Sequence, residues 1–331
     1  MTTAQTHNTG QRNIFVDAAK GVSIFLVVYW HSVDNLLRIN EALWLLRMPL
    51  FFFVSGLFAN RAMALPWADF LKTKVGNIFY LYILWTFIVF FTTIFVAQTF
   101  GPDRIDIGGP FLLFVQPPQT LWFMYALGIS FLIAKLIRPL AWWPIFLLAF
   151  AAYCWSIYGG NWRTAPFPDK VIRLLPFFLL ALKFPQPAIQ FAARHSRWGL
   201  PALAVFVALI LLIFETGLVL VGPITFALGL LGVFSVLMTA SAFQSSLITK
   251  ALAQIGQRTL FIYVMHRIPL FYGTHAMEYL QIDQNALTMS VLAVLVTAAC
   301  YFIGEYVIQR WLPWLFTAPW ARHKASAMKS A

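Results

Sequence analysis

The sequence predicts an all-α integral membrane protein, a polytopic bundle of about ten transmembrane helices, on three observations. Of its 331 residues 61% are hydrophobic and 17% aromatic, while only 10% are charged, a composition far from that of soluble chains. Apolar runs of the length a bilayer core demands, roughly 20 residues, recur along the whole chain between Gly, Pro and charged residues. Lys and Arg, finally, concentrate in alternate connecting segments, as the positive-inside rule requires of a polytopic protein.

The candidate spans are residues 14–33, 42–60, 78–98, 120–137, 141–158, 170–184, 200–215, 218–240, 257–272 and 287–310. The sixth is short, and Pro166, Pro168, Pro176, Pro185 and Pro187 around it predict a kinked or broken helix, tolerated where neighbours satisfy the freed backbone. Residues 98–119, "QTFGPDRIDIGGPFLLFVQPPQ", are too interrupted to span and are expected to form a structured loop or a half-inserted element. With the N-terminus inside, 16 of the 23 Lys and Arg residues fall in cytoplasmic segments and 6 in outer ones, Arg47 lying within a helix. Both termini are therefore expected in the cytoplasm, with tails at 1–13 and 311–331 flanking a membrane domain at 14–310. That asymmetry accounts for the net charge of +12 and implies no nucleic-acid partner. The first twenty residues lack the pattern of a secretory signal peptide, so the first helix is expected to stay attached. Cys154 and Cys300 sit in apolar runs without Cys-x-x-Cys spacing, which supports neither a disulfide nor a metal site.

Against this background the polar residues inside the spans stand out, since ionisable groups in a membrane helix face a partner or a cavity and point to function. The first span, "VDAAKGVSIFLVVYWHS", carries Lys20 and His31. Eleven residues apart on a helix, they share one face, with a rotation of about 20° and a rise of roughly 16 Å between them. Asp34 follows His31 at i+3, within reach of the imidazole, where a carboxylate would fix the tautomer and leave the other ring nitrogen as a base. The plainer readings are an interfacial histidine bonded to a backbone carbonyl and a lysine snorkelling to lipid phosphates; the shared face weighs against both. Arg47, in "RMPLFFFVSG", is placed in the outer half of the second span, where snorkelling is again the alternative. Ser55 and Gly56 suit close helix packing. Lys72 and Lys74 are ordinary positive-inside charges unless they meet Lys20 around an anionic ligand. Trp122 and Tyr125, in "LWFMYALG", suit an interfacial aromatic anchor. His266, in "IYVMHRIP", and Glu305 in the last span complete the set, and a buried Glu305 requires a partner. No phosphate-binding Gly-rich loop, zinc-ligand spacing or Gly-x-Ser-x-Gly turn is present.

In order along the chain, "DAAKGVSIFLVVYWHS", "MPLFFFVSGLF" (48–58), "LWFMYAL" (121–127), "LLPFFLLAL" (174–182) and "IYVMH" (262–266) resemble the motifs of the membrane-bound acyltransferase-3 family, from about residue 13 to 310. Within it the sequence looks closest to the fucose 4-O-acetylase-like branch. The resemblance implies ten core helices and transfer of an acyl group, commonly acetyl, from cytoplasmic acyl-CoA to a carbohydrate hydroxyl at or across the membrane. It implies no permanently bound cofactor, acetyl-CoA or another acyl-CoA being a co-substrate. His31 matches the proposed catalytic histidine and Lys20 the basic position of the first helix. The family's Arg-x-x-Arg before the third helix is here Lys74-Val-Gly-Asn77, so the second basic contact is missing. The chain ends eleven residues beyond Trp320, so delivery of the acyl group outside is expected to use this core or a separate extracytoplasmic partner protein.

The resulting expectation is a plasma-membrane O-acyltransferase, with a carbohydrate or glycolipid as acceptor. His31 acts as general base, oriented by Asp34, with Arg47 polarising the thioester carbonyl if its helix packs against the first. A covalent acyl-imidazole on His31 is a second route. Lys20, Lys72 and Lys74 are assigned to the anionic donor, and Trp122, Tyr125, His266 and Glu305 to the acceptor. The rival class is a multi-pass transporter using Lys20, His31 and Glu305 as a path; the absence of a repeated half and the ordered motifs count against it.

Overall fold

The computed structural model describes residues 13–33, 43–100, 114, 121–158, 167–216 and 221–321, apart from the side chains of 93 and 96–100. Among these residues the regular structure is helical throughout: α1 (Ile14–Val33), α2 (Trp44–Leu57), α3 (Gly76–Phe100), α4 (Trp122–Ile137), α5 (Trp142–Tyr158), α6 (Phe167–Lys183), α7 (Pro185–Arg194), α8 (Gly199–Thr216), α9 (Gly222–Ala242), α10 (Leu247–Gln257), α11 (Thr259–Met265), α12 (Arg267–Tyr279) and α13 (Ala286–Phe302). Shorter pieces link them, including π-helical stretches at Phe70–Val75 and Ile303–Ile308.

Five helical runs are long and apolar enough to cross a bilayer, namely Ile14–Val33, Trp67–Thr92, Ser196–Thr216, Gly222–Ala242 and Ala286–Trp311. The bent pair α6 and α7 makes a sixth if it is one span, and α2, α4 and α5 are shorter apolar helices. The chain is thus a multi-pass membrane protein. Its burial pattern orders the spans: 56% of the α1 window and 67% of the α9 window lie inside the bundle, against 17% for Ser196–Thr216 and 28% for Trp67–Thr92 and Ala286–Trp311. Helices whose apolar surface points outward can be stable only against lipid, so α1 and α9 are central and the others peripheral.

Three expectations change in detail. The third run begins at Trp67, ahead of the expected 78, so Lys72 and Lys74 lie inside it on the π-helical stretch Phe70–Val75. The sixth tolerates Pro176 within α6 and breaks where Pro185 begins α7, bending the chain by 85°, because Pro185 has no N–H to return to the preceding turn. The ninth, expected at 257–272, is interrupted at His266 between α11 and α12; Pro269 leaves the Met265 carbonyl without its i+4 donor. Residues 101–113 and 115–119 of the expected loop lie outside the described residues.

Packing explains why so polar a helix as α1 is central. A Cβ at Gly21 would overlap the Leu252 carbonyl oxygen, and one at Gly256 would overlap the Asp17 carbonyl oxygen. The order of contacts is reversed along the two chains, with Gly21 against Leu252 and Asp17 against Gly256, so α10 lies backbone to backbone on α1 as small residues permit in membranes. Helix α10 is capped by Ser246, whose Oγ accepts from Thr249 N at 3.1 Å. Helix α2 is buried on two sides. Trp44, Met48 and Phe52 join a cluster with Tyr82, Trp122 and Tyr263, while Leu50, Phe53 and Leu57 join a second with Phe177, Phe206 and Val233. Helix α13 starts in a capping box in which Leu287 N and Thr288 N donate to Asn285 Oδ1 and Asn285 N donates to Thr288 Oγ1.

Gly256→Ala is expected to push α10 off α1 and destabilise the protein by about 1–3 kcal/mol or more, as overpacking does. Thermal unfolding of the purified protein in detergent checks this, and an unchanged midpoint would contradict the close contact.

Candidate active site

From Gly256 the chain turns at Arg258 and α11 climbs beside α1, which brings His266 to His31. The two ring centroids are 5.1 Å apart, and Trp30 packs edge-on against His31 at 4.4 Å. Nη1 of Arg267 lies 3.5 Å from Nδ1 of His31, the outer limit of a hydrogen bond. A guanidinium can only donate, so Nδ1 accepts and the neutral ring carries its proton on Nε2. His266 is fully buried, and its Nδ1 donates to the carbonyl of Tyr263 at 2.8 Å. That bond places a proton on Nδ1, so in the neutral ring the lone pair is on Nε2, which has no hydrogen-bond partner among the described residues. A buried polar atom without a partner costs about 1–3 kcal/mol, and here it faces the very cluster that the first-helix motif singled out.

Arg47 is 2% exposed, which excludes snorkelling. Its guanidinium lies 5.0 Å from the Trp30 ring, and its carbonyl accepts from Ser23 Oγ at 3.1 Å, tying α2 to α1. Arg47, Arg267 and His266 all act electrostatically on the His31 ring. One face thus gathers two imidazoles and two cations, a set suited to moving a proton beside a developing negative charge.

At the other end of α1, Lys20 Nζ pairs with Asp17 Oδ1 at 2.8 Å and stands 3.9 Å over the Phe58 ring. It opens into a cavity of about 190 Å³ lined also by Phe51, Val54, Ser55, Gly256, Gln257 and Thr259. The conspicuous Ser55 therefore lines this cavity, while Gly56 packs against Phe178 and Ala181 of α6.

A family model described as an acyltransferase domain matches residues 13–305, an interval that holds this whole constellation. The chain belongs to the acyltransferase-3 family. It is also 27% identical over 207 residues, 53% of its length, to an inner membrane protein, YcfT, of Escherichia coli K12; the match spans 57% of that relative's length. No solved structure matches.

The remaining residues of this acyltransferase-family chain fall into separate places. Asp34 lies outside the described residues. Lys72 and Lys74 do not line the Lys20 cavity; Lys74 Nζ is 4.2 Å over the Phe131 ring, and the Lys72 carbonyl accepts from Trp320 Nε1 at 3.1 Å. Trp122 is buried beneath the Lys170 ammonium, 5.3 Å from its ring, and Tyr125 donates its hydroxyl to the Phe114 carbonyl at 2.8 Å and stacks on Tyr82 at 5.3 Å. Trp122 connects to the histidine pair through Phe123, 6.4 Å away, which meets Tyr263 at 5.5 Å, and Tyr263 in turn lies 6.2 Å from His266. Glu305 is only half-buried, yet it has a partner: Arg258 grips it through both Nε and Nη2, the latter at 2.7 Å. Arg267 is the residue that sequence reasoning missed. Its adjacency to His266 was the available signal.

Asn77, where the family motif has its second arginine, holds the segment at Ala318. Its Oδ1 accepts from Ala318 N at 2.7 Å, while Trp85 Nε1 and Tyr80 Oη donate to the carbonyls of Leu315 and Trp314 at 2.7 and 3.2 Å. Asn77→Ala is expected to leave the Ala318 N–H unpaired, at a cost of about 1 kcal/mol. Hydrogen exchange at Ala318 should quicken severalfold; unchanged exchange would deny Asn77 this anchoring role.

Proposed function

We propose that this protein is a plasma-membrane O-acyltransferase, most simply an O-acetyltransferase, that moves an acyl group from cytoplasmic acyl-CoA to a hydroxyl of a cell-surface carbohydrate or glycolipid. The observation that carries the reading is the facing pair His31 and His266 beside the buried Arg47, within a chain of the acyltransferase-3 family. Its motifs support placing it in the fucose 4-O-acetylase-like branch. Ten membrane crossings with both termini in the cytoplasm would set Lys20 near the donor side and His31 in the outer part of α1.

His31 takes the proton of the acceptor hydroxyl as its oxygen attacks the thioester carbonyl. The lone pair inferred for Nδ1 directs the hydroxyl to the side of Arg267. Arg47 stabilises the oxyanion of the tetrahedral intermediate; the carbon–sulfur bond then breaks, and His31 returns the proton to the departing thiolate. Asp34, three residues on, orients His31, and His266 shapes the site. Lys20 holds phosphates of the donor at the mouth of its cavity, with Lys72 and Lys74 adding positive charge on the same side. Trp122, Tyr125 and Glu305 belong to the acceptor side in this reading. The transporter alternative loses ground to the family membership, and its Glu305 is engaged by Arg258.

Loss of a general base typically costs roughly 10²–10⁴ in rate. Accordingly, His31→Ala should cut kcat by that order while the protein stays inserted, and His266→Ala should cut it less. Lys20→Ala should mainly raise KM for acetyl-CoA, and Lys20→Arg, which keeps the charge, should be milder. Thiol release from acetyl-CoA by the purified protein, supplied with a membrane glycolipid extract, measures both parameters. Near-normal turnover in His31→Ala would end the catalytic assignment, and an unchanged donor KM in Lys20→Ala would move the donor site elsewhere.

Topology is tested separately. Reporter fusions after Arg197 and after Lys329 should read cytoplasmic and one near Gly108 should read external; an external signal from the C-terminal fusion would break the ten-crossing arrangement.

A further inference from the structure

Away from the histidine pair, a cavity of about 370 Å³ opens where α4 ends, α5 begins and α6 ends. Its floor is apolar and buried, with Met63, Ala134 and Leu179 each at most 3% exposed. Its rim carries two exposed cations, Arg138 and Lys183, and no carboxylate pairs with either among the described residues. The Arg138 Nη1 donates to the carbonyl of Met63, which positions the guanidinium while leaving most of its five N–H donors for another acceptor. Lys183 stands 6.0 Å from the ring of Trp142, which is also part of the lining.

The surroundings say from where a ligand would come. Leu136 in α4, Leu140 in the turn after it, and Trp143, Leu147 and Leu148 in α5 are 56–68% exposed and leave apolar surface outward near the rim. In a multi-pass protein such a surface faces acyl chains, and Lys, Arg and Trp at its edge mark the headgroup level. Basic pockets between membrane helices at that level suit anionic headgroups. A soluble anion would find the same cations but no use for the apolar floor. None of the lining residues belongs to the Lys20 cavity or to the histidine cluster.

We propose that the cavity rimmed by Arg138 and Lys183 binds an anionic glycerophospholipid, its phosphodiester held by the two cations and its acyl chains lying along the outward apolar surface of α5. The site stands whether or not the chain transfers acyl groups. The two cations together should be worth about thirtyfold in affinity, from roughly 1 kcal/mol each at the membrane surface.

Native mass spectrometry of the delipidated full chain in mild detergent, titrated with dioleoyl phosphatidylglycerol, tests this. Phosphatidylglycerol should be retained over dioleoyl phosphatidylcholine, and Arg138→Gln/Lys183→Gln should weaken it by about thirtyfold. Lys183→Gln alone, which leaves the Arg138 bond to Met63 intact, should retain a normal elution profile and weaken it by about fivefold. Arg194→Gln/Lys250→Gln, an equal loss of exposed charge on α7 and α10, should leave binding unchanged. An equal loss in that control would make the effect general surface charge and overturn the site. So would equal retention of the zwitterionic lipid, displacement by millimolar glycerol 3-phosphate, which would mean a bare phosphate site, or displacement by coenzyme A, which would assign the cavity to the donor.

Discussion

The backbone of α1 touches the backbone of α10 at Gly21 and Gly256, and the polar residues of the protein depend on that contact. Without side chains at these two positions the helices approach closely enough for Gly256 and Gln257 to line the Lys20 cavity. The chain then turns at Arg258 and carries His266 up to His31. One approach therefore sets both ends of the polar face of α1. Small residues serve this purpose in membranes because lipid tails are as apolar as side chains, so helices associate through close packing and polar contacts rather than by escaping water. The ion pair of Arg258 with Glu305 then anchors the turn to the last helix, where a π-helical stretch carries the carboxylate.

Arg47 shows how the bundle accommodates a charge. It sits in the first turn of α2, a helix buried on two sides, and its guanidinium faces the Trp30 ring. Placing a cation there is costly, and in a purely structural helix a leucine would serve better. Arg47 lies beside the C-terminal half of α1, where Nε2 of His266 is buried with no hydrogen-bond partner among the described residues. Such concessions are expected at sites that bind or transform a ligand.

Much of this was legible in the sequence because it rests on local rules. Composition and run length specify a membrane protein, and helical periodicity puts Lys20 and His31 on one face without knowledge of any neighbour. The proline cluster foretold the broken sixth segment, although which proline breaks it depended on packing: Pro176 is held inside α6, while the chain bends at Pro185. The onset of the third run and the interruption at His266 escaped because π-helical stretches and a one-residue break leave no periodic trace.

What the sequence determined by itself, then, is the membrane class, the polar face of the first helix and the order of the motifs, since each follows from chemistry within a single segment. What only the tertiary structure decided is which distant residues meet. Arg267 rather than any carboxylate among the described residues faces His31 Nδ1, Arg258 is the partner of Glu305, Asn77 holds the segment near Ala318, and Lys74 turns to Phe131 and away from the Lys20 cavity. These pairings join positions as far as 241 residues apart. They are set by how helices cross, and crossing geometry depends on the shape of both partners at once, which no single stretch of sequence contains.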